Sequence, residues 1–314
     1  MIHLVSLFDT HNMDSDKVHE TTAAYAAKCG LAYTWRPLTE GSPDEIICSL
    51  SGADAAILPP VPLDSATISA LPETVRLIIR YGNDNRMIDL TAARERGITV
   101  INITEVDAEA TAEFAIALML SVRRKIVRHA CQLKDEKWHR HMSNEVNKST
   151  VGIIGFGAVG RTLARFLSGF GCTLLACDPY VSDEAIRAGG ALPCPLDELL
   201  QRSDIVQLCA ACTEETISLI SREKLQLLKP TATIINTAQG ELIDEDALIQ
   251  GLKNRSIRSA GLDVFTDEPL DRASALLGIR QATLTPHAAA YTYEALGAFY
   301  SRAADIAAGF FHHG

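Results

Sequence analysis

Short apolar runs alternate with helix-period segments along most of the chain. Residues 2–8 (IHLVSLF) read as a strand, 16–29 as a helix with a weak apolar face, and 33–36 as a second strand. A short helix over 43–50, strands over 55–58 and 75–80, a helix over 90–96 ended by Gly97, and a strand over 98–102 continue the alternation. Strands separated by helices predict a parallel sheet with helices on its faces. A first domain is complete by about residue 102. The segment 107–129, DAEATAEFAIALMLSVRRKIVRH, predicts the strongest helix, with Glu109 and Glu113 at its start and Arg123, Arg124, Lys125 and Arg128 gathered towards its end. Ala110, Phe114, Ala117, Leu118 and Ser121 offer a stripe for close packing, widened by Ile116, Met119 and Leu120. So apolar a helix needs cover on more than one side, at a domain junction or a subunit contact.

The pattern then repeats. Strands are predicted over 151–154, 172–177, 205–208, 232–236 and 259–264, and helices over 158–168, 183–188, 196–200, 224–228 and 244–252. This predicts a doubly wound domain over 103–287. The tail 291–311 is one helix rich in alanine and aromatics, with no sheet of its own. It is expected to return to the first domain, which then comprises 1–102 and 288–314. A chain of 314 residues is long enough for two such cores.

Where the first strand of the second domain ends, the sequence reads VGIIGFGAVGRTLA. Gly155 allows a tight turn, Gly157 lets a pyrophosphate approach the backbone, and Gly160 lets helix and strand pack closely. The phosphates sit at the positive end of the following helix. Gly155, Phe156, Gly157, Ala158, Val159 and Gly160 are the expected cofactor loop. The next strand ends in Asp178, 23 positions after Gly155, followed by Pro179. A carboxylate there accepts hydrogen bonds from an adenosine ribose diol and repels a 2'-phosphate, which favours NAD over NADP.

Composition narrows the partners. With 39 acidic against 29 basic side chains the formal charge is −10, which argues against a nucleic-acid or anionic-membrane surface. No apolar run approaches the length of a membrane span, and the polar turn soon after Met1 predicts no signal peptide. The eight cysteines are scattered among alanines and leucines, as small buried hydrophobes in a reducing cytoplasm would be. Cys209-x-x-Cys212 lacks a second pair or a nearby histidine, so no metal site is predicted.

Ligands of open α/β sheets bind beyond the carboxyl ends of strands. Three strand-end stretches therefore matter: Asn236-Thr237-Ala238-Gln239-Gly240, Asp263 to Pro269, and Leu284-Thr285-Pro286-His287. Thr237 is counted among the cofactor contacts. His287 is the candidate acid/base for alcohol oxidation, and Glu268 the carboxylate that holds its tautomer and stabilises the imidazolium. His3, His139 and His141 lack such a context.

These blocks, together with RYG, IDLTAARERGITVIN, AEATAEFAIALML, LLKPTATIINTAQGELIDEDAL, GLDVFTDEP and TPHAAAYT, resemble the D-isomer-specific 2-hydroxyacid dehydrogenase family over nearly the whole chain. The resemblance implies a flavodoxin-like substrate domain beside the doubly wound NAD-binding domain, and reversible NAD-dependent reduction of a small 2-keto acid. It puts Glu268 and His287 on the family's catalytic pair, Asp178 on the ribose acid, and Asp263 on the acidic position near the nicotinamide, where it orients the ring amide. It also implies a homodimer formed through the cofactor domain and helix 107–129. Four departures stand out. The family's catalytic arginine is replaced by Gln239, which cannot form a charge-assisted bidentate pair with a carboxylate; losing a well-placed charged donor costs about 3–5 kcal/mol of transition-state stabilisation. The substrate loop, Gly82, Asn83 and Asp84, carries an aspartate in place of a second glycine. Glu105 adds a further carboxylate before the long helix, and Cys209 and Ala211 replace a histidine and a proline. Arg80 or Arg86 are the candidates to supply the missing charge, so Gly82, Asn83 and Arg86 are the expected substrate contacts. The alternative is a weakly catalytic or inactive NAD(H)-binding regulatory homologue.

Overall fold

Runs of Val, Ile, Leu and Ala with no polar alternation become strands buried on both faces, as parallel sheets require. The computed structural model describes residues 1–8, 16–82 and 85–312. In chain order it gives β1 (Ile2–Ser6), α1 (Asp16–Lys28), β2 (Leu31–Trp35), α2 (Pro43–Ser49), β3 (Ala55–Leu58), α3 (Ser65–Ala70), β4 (Leu77–Tyr81), α4 (Leu90–Glu95) and β5 (Thr99–Ile103). There follow α5 (Ala108–Arg124), α6 (Ile126–Lys134), β6 (Thr150–Ile154), α7 (Ala158–Leu167), β7 (Thr173–Cys177), α8 (Asp183–Ala188), β8 (Leu192–Pro193), α9 (Leu196–Arg202) and β9 (Ile205–Leu208). The last are α10 (Arg222–Leu225), β10 (Thr233–Asn236), α11 (Glu245–Asn254), β11 (Ser259–Leu262), β12 (Ala282–Leu284) and α12 (Tyr293–His312).

The chain divides into two units, Met1–Asp107 with Thr292–Gly314, and Ala108–Tyr291. The first holds a parallel sheet in the order β2-β1-β3-β4-β5, the flavodoxin-like order. Side-chain caps start its short helices: Ser42 accepts from Glu45 N–H with Pro43 in the first turn, Asp64 from Thr67 N–H, and Asp89 from Thr91 and Ala92 N–H. Helix α3 has too little apolar periodicity to be read from the sequence, and Asp64 is its one local signal. Helix α12 closes this unit by packing on α1 and the sheet. Its Leu296, Phe299, Tyr300, Ala303, Ala304 and Ala307 join Leu4, Ile57, Leu77 and Ile79 in one core. Burial of each large apolar side chain contributes about 1.5–3 kcal/mol.

The second unit holds a seven-stranded parallel sheet in the order β12-β11-β10-β9-β6-β7-β8. The order reverses between β6 and β9, the switch point at which doubly wound sheets bind dinucleotides. The long helix expected over 107–129 is two helices: Lys125 takes a left-handed conformation (φ 57°) and α6 starts anew. The stripe expected at Ala110, Phe114, Ala117, Leu118 and Ser121 is rotated by about one position. The buried face is Ala108, Thr111, Ala112, Ala115, Leu118, Met119 and Val122, while Ala117 is exposed. The reason lies in β11, where a Cβ at Gly261 would stand 2.8 Å from Leu118 Cγ and 3.0 Å from Val122 Cγ2. The helix lies so close that only glycine fits beneath it. No described helix is long and apolar enough to cross a membrane.

Candidate active site

The strand β6 delivers the chain to Gly155 at φ 90°, a conformation that side chains rarely adopt. A Cβ on Gly155 would also meet Ala210 N at 2.5 Å, and one on Gly160 would stand 2.3 Å from Gly155 O. Gly157 is different: a Cβ there would meet nothing within 4 Å. Two of the three glycines are thus demanded by the protein itself, and the middle one faces open space at the amino end of α7. A loop of this shape at a helix amino end can hold a phosphate, with the helix dipole behind it.

Asp178 follows β7, half-buried. One of its oxygens accepts from Phe156 N–H at 2.7 Å and the other from Tyr180 N–H at 2.9 Å, which ties the carboxylate to the glycine loop. A carboxylate offers about four lone-pair sites, so two remain for a ribose diol. Pro179 is exposed beside it. Arg161 Nη1 donates to Phe156 O at 3.2 Å and braces the same loop from α7.

On the other side of the switch point, Asn236 ends β10 and folds the following turn on itself. Its Nδ2 donates to Gln239 O at 2.8 Å and its Oδ1 accepts from Ala238 N–H at 3.0 Å. Gly240 then packs against the chain that follows β11, where a Cβ would stand 2.0 Å from Phe265 C. Gln239 is half-buried, and its side chain makes no hydrogen bond among the described residues. Thr237 is held by Gln207, whose Nε2 donates to Thr237 Oγ1 at 3.0 Å and to Leu208 O at 2.9 Å. Gln207 escapes a reading of motifs; a fully buried amide inside the apolar strand IVQL is the signal that finds it. Cys209 just beyond is a free thiol, and desolvation pushes its pKa well up.

Asp263 has no exposed surface. Its Oδ1 accepts from Thr285 Oγ1 at 2.6 Å and Ala288 N–H at 2.9 Å, its Oδ2 from Ala289 N–H at 2.9 Å, and its carbonyl from His287 N–H at 2.7 Å. All of these donors belong to the loop that carries His287. That loop needs fastening, because His287 itself sits at φ 51°, which costs a non-glycine residue of order 1–2 kcal/mol.

His287 Nδ1 lies 2.6 Å from Glu268 Oε2, and Glu268 Oε1 accepts from Phe265 N–H at 3.0 Å. An ionised carboxylate accepts at both oxygens, so the proton lies on Nδ1 in the neutral ring and Nε2 is left to exchange protons. The hydrogen bond to Glu268 raises the pKa of His287, desolvation opposes it, and the charges of Glu268 and Asp263 add to the rise. The histidine side chain is 48% exposed, so a ligand can reach it. The second unit therefore brings His287, Glu268 and Asp263 together at neighbouring strand ends.

The residues expected at the substrate lie in the first unit. Gly82 follows β4 at φ 78°, its N–H bonded to Ile103 O and its carbonyl to Asn102 Nδ2. Asn83 and Asp84 lie outside the described residues. Arg86 is exposed, whereas Arg80 is buried within the unit. Among the described residues no group of three or more His, Cys, Asp or Glu side chains is arranged to hold a metal ion.

Residues 116–289 match the family described as D-isomer specific 2-hydroxyacid dehydrogenase, NAD binding domain. A glyoxylate reductase of Korarchaeum cryptofilum is 36% identical over 83% of this chain and 80% of its own length. A D-3-phosphoglycerate dehydrogenase of Mycobacterium bovis is 34% identical over 80% of this chain, which spans 48% of that longer protein. Among solved structures, the apo form of D-lactate dehydrogenase from Escherichia coli superposes with a TM-score of 0.87 at 26% identity, covering 100% of this chain and 98% of the other.

Proposed function

Since this chain belongs to the D-isomer-specific 2-hydroxyacid dehydrogenases, we propose that it interconverts a small 2-hydroxy acid and its 2-keto acid with His287 as acid/base. It is an NAD-dependent oxidoreductase. The observation that carries the assignment of His287 is its 2.6 Å bond to Glu268, which fixes the ring and leaves Nε2 open. In the oxidative direction neutral Nε2 takes the hydroxyl proton; in the reductive direction the imidazolium returns it to the carbonyl oxygen. The bound nicotinamide supplies or accepts the hydride. Gly155 to Gly160 would hold the pyrophosphate and Asp178 and Pro179 the adenosine ribose, with Thr237 a further cofactor contact. Asp263 acts through the 285–289 loop as a positioning residue.

Gln239 stands at the strand-end position where the family carries an arginine, so the substrate carboxylate draws less on this loop. Its partners are then the Gly82 and Asn83 loop, with the exposed Arg86 supplying charge in place of the buried Arg80. The exposed apolar side chains Ile126, Val127, Leu133, Trp138 and Met142 support a homodimer built through the second unit.

The test is NADH oxidation with glyoxylate, hydroxypyruvate, pyruvate and bulkier 2-keto acids, for the wild type, His287→Ala and Gln239→Arg. The expected outcome is turnover in the wild type that His287→Ala reduces by about 10²–10⁴-fold. Intact NADH binding with no turnover, and activity gained in Gln239→Arg, would instead identify a regulatory homologue whose chemistry was lost at one position.

A further inference from the structure

At the opposite end of the second unit's sheet is a cavity of about 560 Å³. Its floor includes Thr233, Ser259 and Ala282, the first residues of β10, β11 and β12, and its wall is formed by α5, α6 and the chain after them. The loops with Thr237, Asp263 and His287 leave the far ends of those same strands, roughly 13 Å away for a four-residue strand. The cavity is therefore separate from the cofactor loops.

Its lining is strongly cationic in a chain whose formal charge is −10. Arg123, Lys125, Arg128, Lys137, Arg258 and Arg280 face it, against one acid, Asp135, which is paired with Lys137 at 3.6 Å. The side chains of Arg128, Arg258 and Arg280 make no hydrogen bond or ion pair among the described residues. Arg123 is only 9% exposed. Its Nη2 donates to Glu145 O at 3.1 Å and Ser149 Oγ at 3.3 Å, while its Nε is buried without a partner.

The groups strain one another. Desolvation first, and then the Arg258 charge, pull down the pKa of Lys125; at Arg123 desolvation is opposed by Asp204 and reinforced by Arg258. Asp204 is itself engaged by Lys229 at 2.8 Å and by Thr150 N–H. Arg128, Lys137, Arg258 and Arg280 are exposed, and Asp135 is the one carboxylate of the lining, so six cations face the cavity against a single anion. Ser121, Gln132, Asn144 and Gln281 add neutral hydrogen-bonding groups, and there is no aromatic ring.

We propose that this cavity binds a small, multiply charged anion, phosphate-bearing or polycarboxylate, at the amino ends of β10, β11 and β12. Guanidinium forks match either oxyanion bidentately. The volume suits a metabolite rather than a bare chloride.

The full chain, saturated with NADH so that the glycine loop is occupied, is titrated with inorganic pyrophosphate and separately with citrate, against sodium chloride at equal ionic strength. Calorimetry and thermal unfolding give the readout. The expected result is saturable binding of at least one of the two anions, raising Tm by roughly 5–10 °C at a hundredfold excess over Kd. Arg258→Ser and Arg280→Gln are each expected to weaken that Kd at least tenfold and to leave the NADH affinity unchanged, which also shows that they fold. Preference for pyrophosphate or citrate distinguishes the phosphorylated from the carboxylate class. The proposal is overturned if neither anion exceeds the salt control, or if both variants bind as the wild type does. It is equally overturned by a wild-type dimer that binds neither anion and dissociates in Arg258→Glu, because a partner's carboxylates would then fill the cavity.

Discussion

Replacement of Glu268 by glutamine isolates the charge in the proposed catalytic pair. The amide keeps the volume and an oxygen for Phe265 N–H, but it offers His287 no anion. Of the influences on His287, the Glu268 hydrogen bond is the largest and raises its pKa; desolvation is second and lowers it; the Coulombic effects of Glu268 and Asp263 follow. Without the Glu268 charge, desolvation outweighs Asp263, and the pKa falls from above the ordinary histidine value to below it. Reduction requires imidazolium, so kcat/KM for the keto acid should begin to fall at a lower pH in Glu268→Gln than in the wild type. Oxidation requires the neutral ring, so its rising limb should move the same way. A hydrogen bond to a charged group contributes about 1.5–3 kcal/mol, hence roughly a 10- to 150-fold loss of kcat/KM at the optimum. The assay is NADH absorbance from pH 5 to 9 in both directions with a substrate found active in the keto-acid panel. An undisplaced profile with a uniform loss of rate at every pH would refute the reasoning and leave Glu268 a purely structural brace. The same linkage acts on folding. A histidine whose folded pKa lies above its unfolded one adds stability below the unfolded value, and that contribution disappears as pH rises through the folded pKa; at 48% exposure the effect is screened and small.

Three further outcomes follow from the geometry. Gly157→Ala should fold normally and weaken NADH binding more than tenfold, since its Cβ meets no protein atom but enters the phosphate cradle; Gly160→Ala, forced to 2.3 Å from Gly155 O, should cost about 1–3 kcal/mol of stability in urea unfolding. Asp263→Asn replaces an acceptor of three hydrogen bonds by an amide that cannot accept them all, so it should lower kcat and stability, by about 1–3 kcal/mol, with the NADH Kd unchanged; a weakened NADH Kd would restore Asp263 to the cofactor. His19 is 6% exposed and stacked on Trp35, and burial lowers its pKa to about 4 from 6.5. The unfolded chain therefore binds its proton more readily, so stability present above pH 6.5 is lost as pH falls towards 4, by about 3 kcal/mol in full. Urea titrations at pH 7 and pH 4.5 measure that slope, and His19→Phe should flatten it.

The sheets were legible because their strands are short apolar runs between turns, and the glycine loop because Gly155 and Gly160 answer steric demands of the fold while Gly157 leaves open space. The pairing of Glu268 with His287 was legible too, as two strand-end residues of complementary chemistry. The break at Lys125 was not, because Arg, Arg and Lys are good helix formers and no glycine or proline marks the left-handed residue. The buried face of α5 was misplaced by one position for a related reason: alanines spread all round that helix, and only the approach to Gly261 decides which of them are covered. The work done by Asp263 was also hidden, since its donors are backbone N–H groups, which every sequence has.

The turn after β10 keeps its shape through Asn236, through backbone carbonyls and through the fit of Gly240 against Phe265, none of which involves the side chain at 239. Position 239 is thus a socket: the scaffold grips the backbone and leaves whatever is plugged in free to vary. Replacing that side chain breaks none of the hydrogen bonds that hold the turn. On the proposed function, substrate choice would accordingly drift by single substitutions at this position whose penalty falls on the chemistry alone.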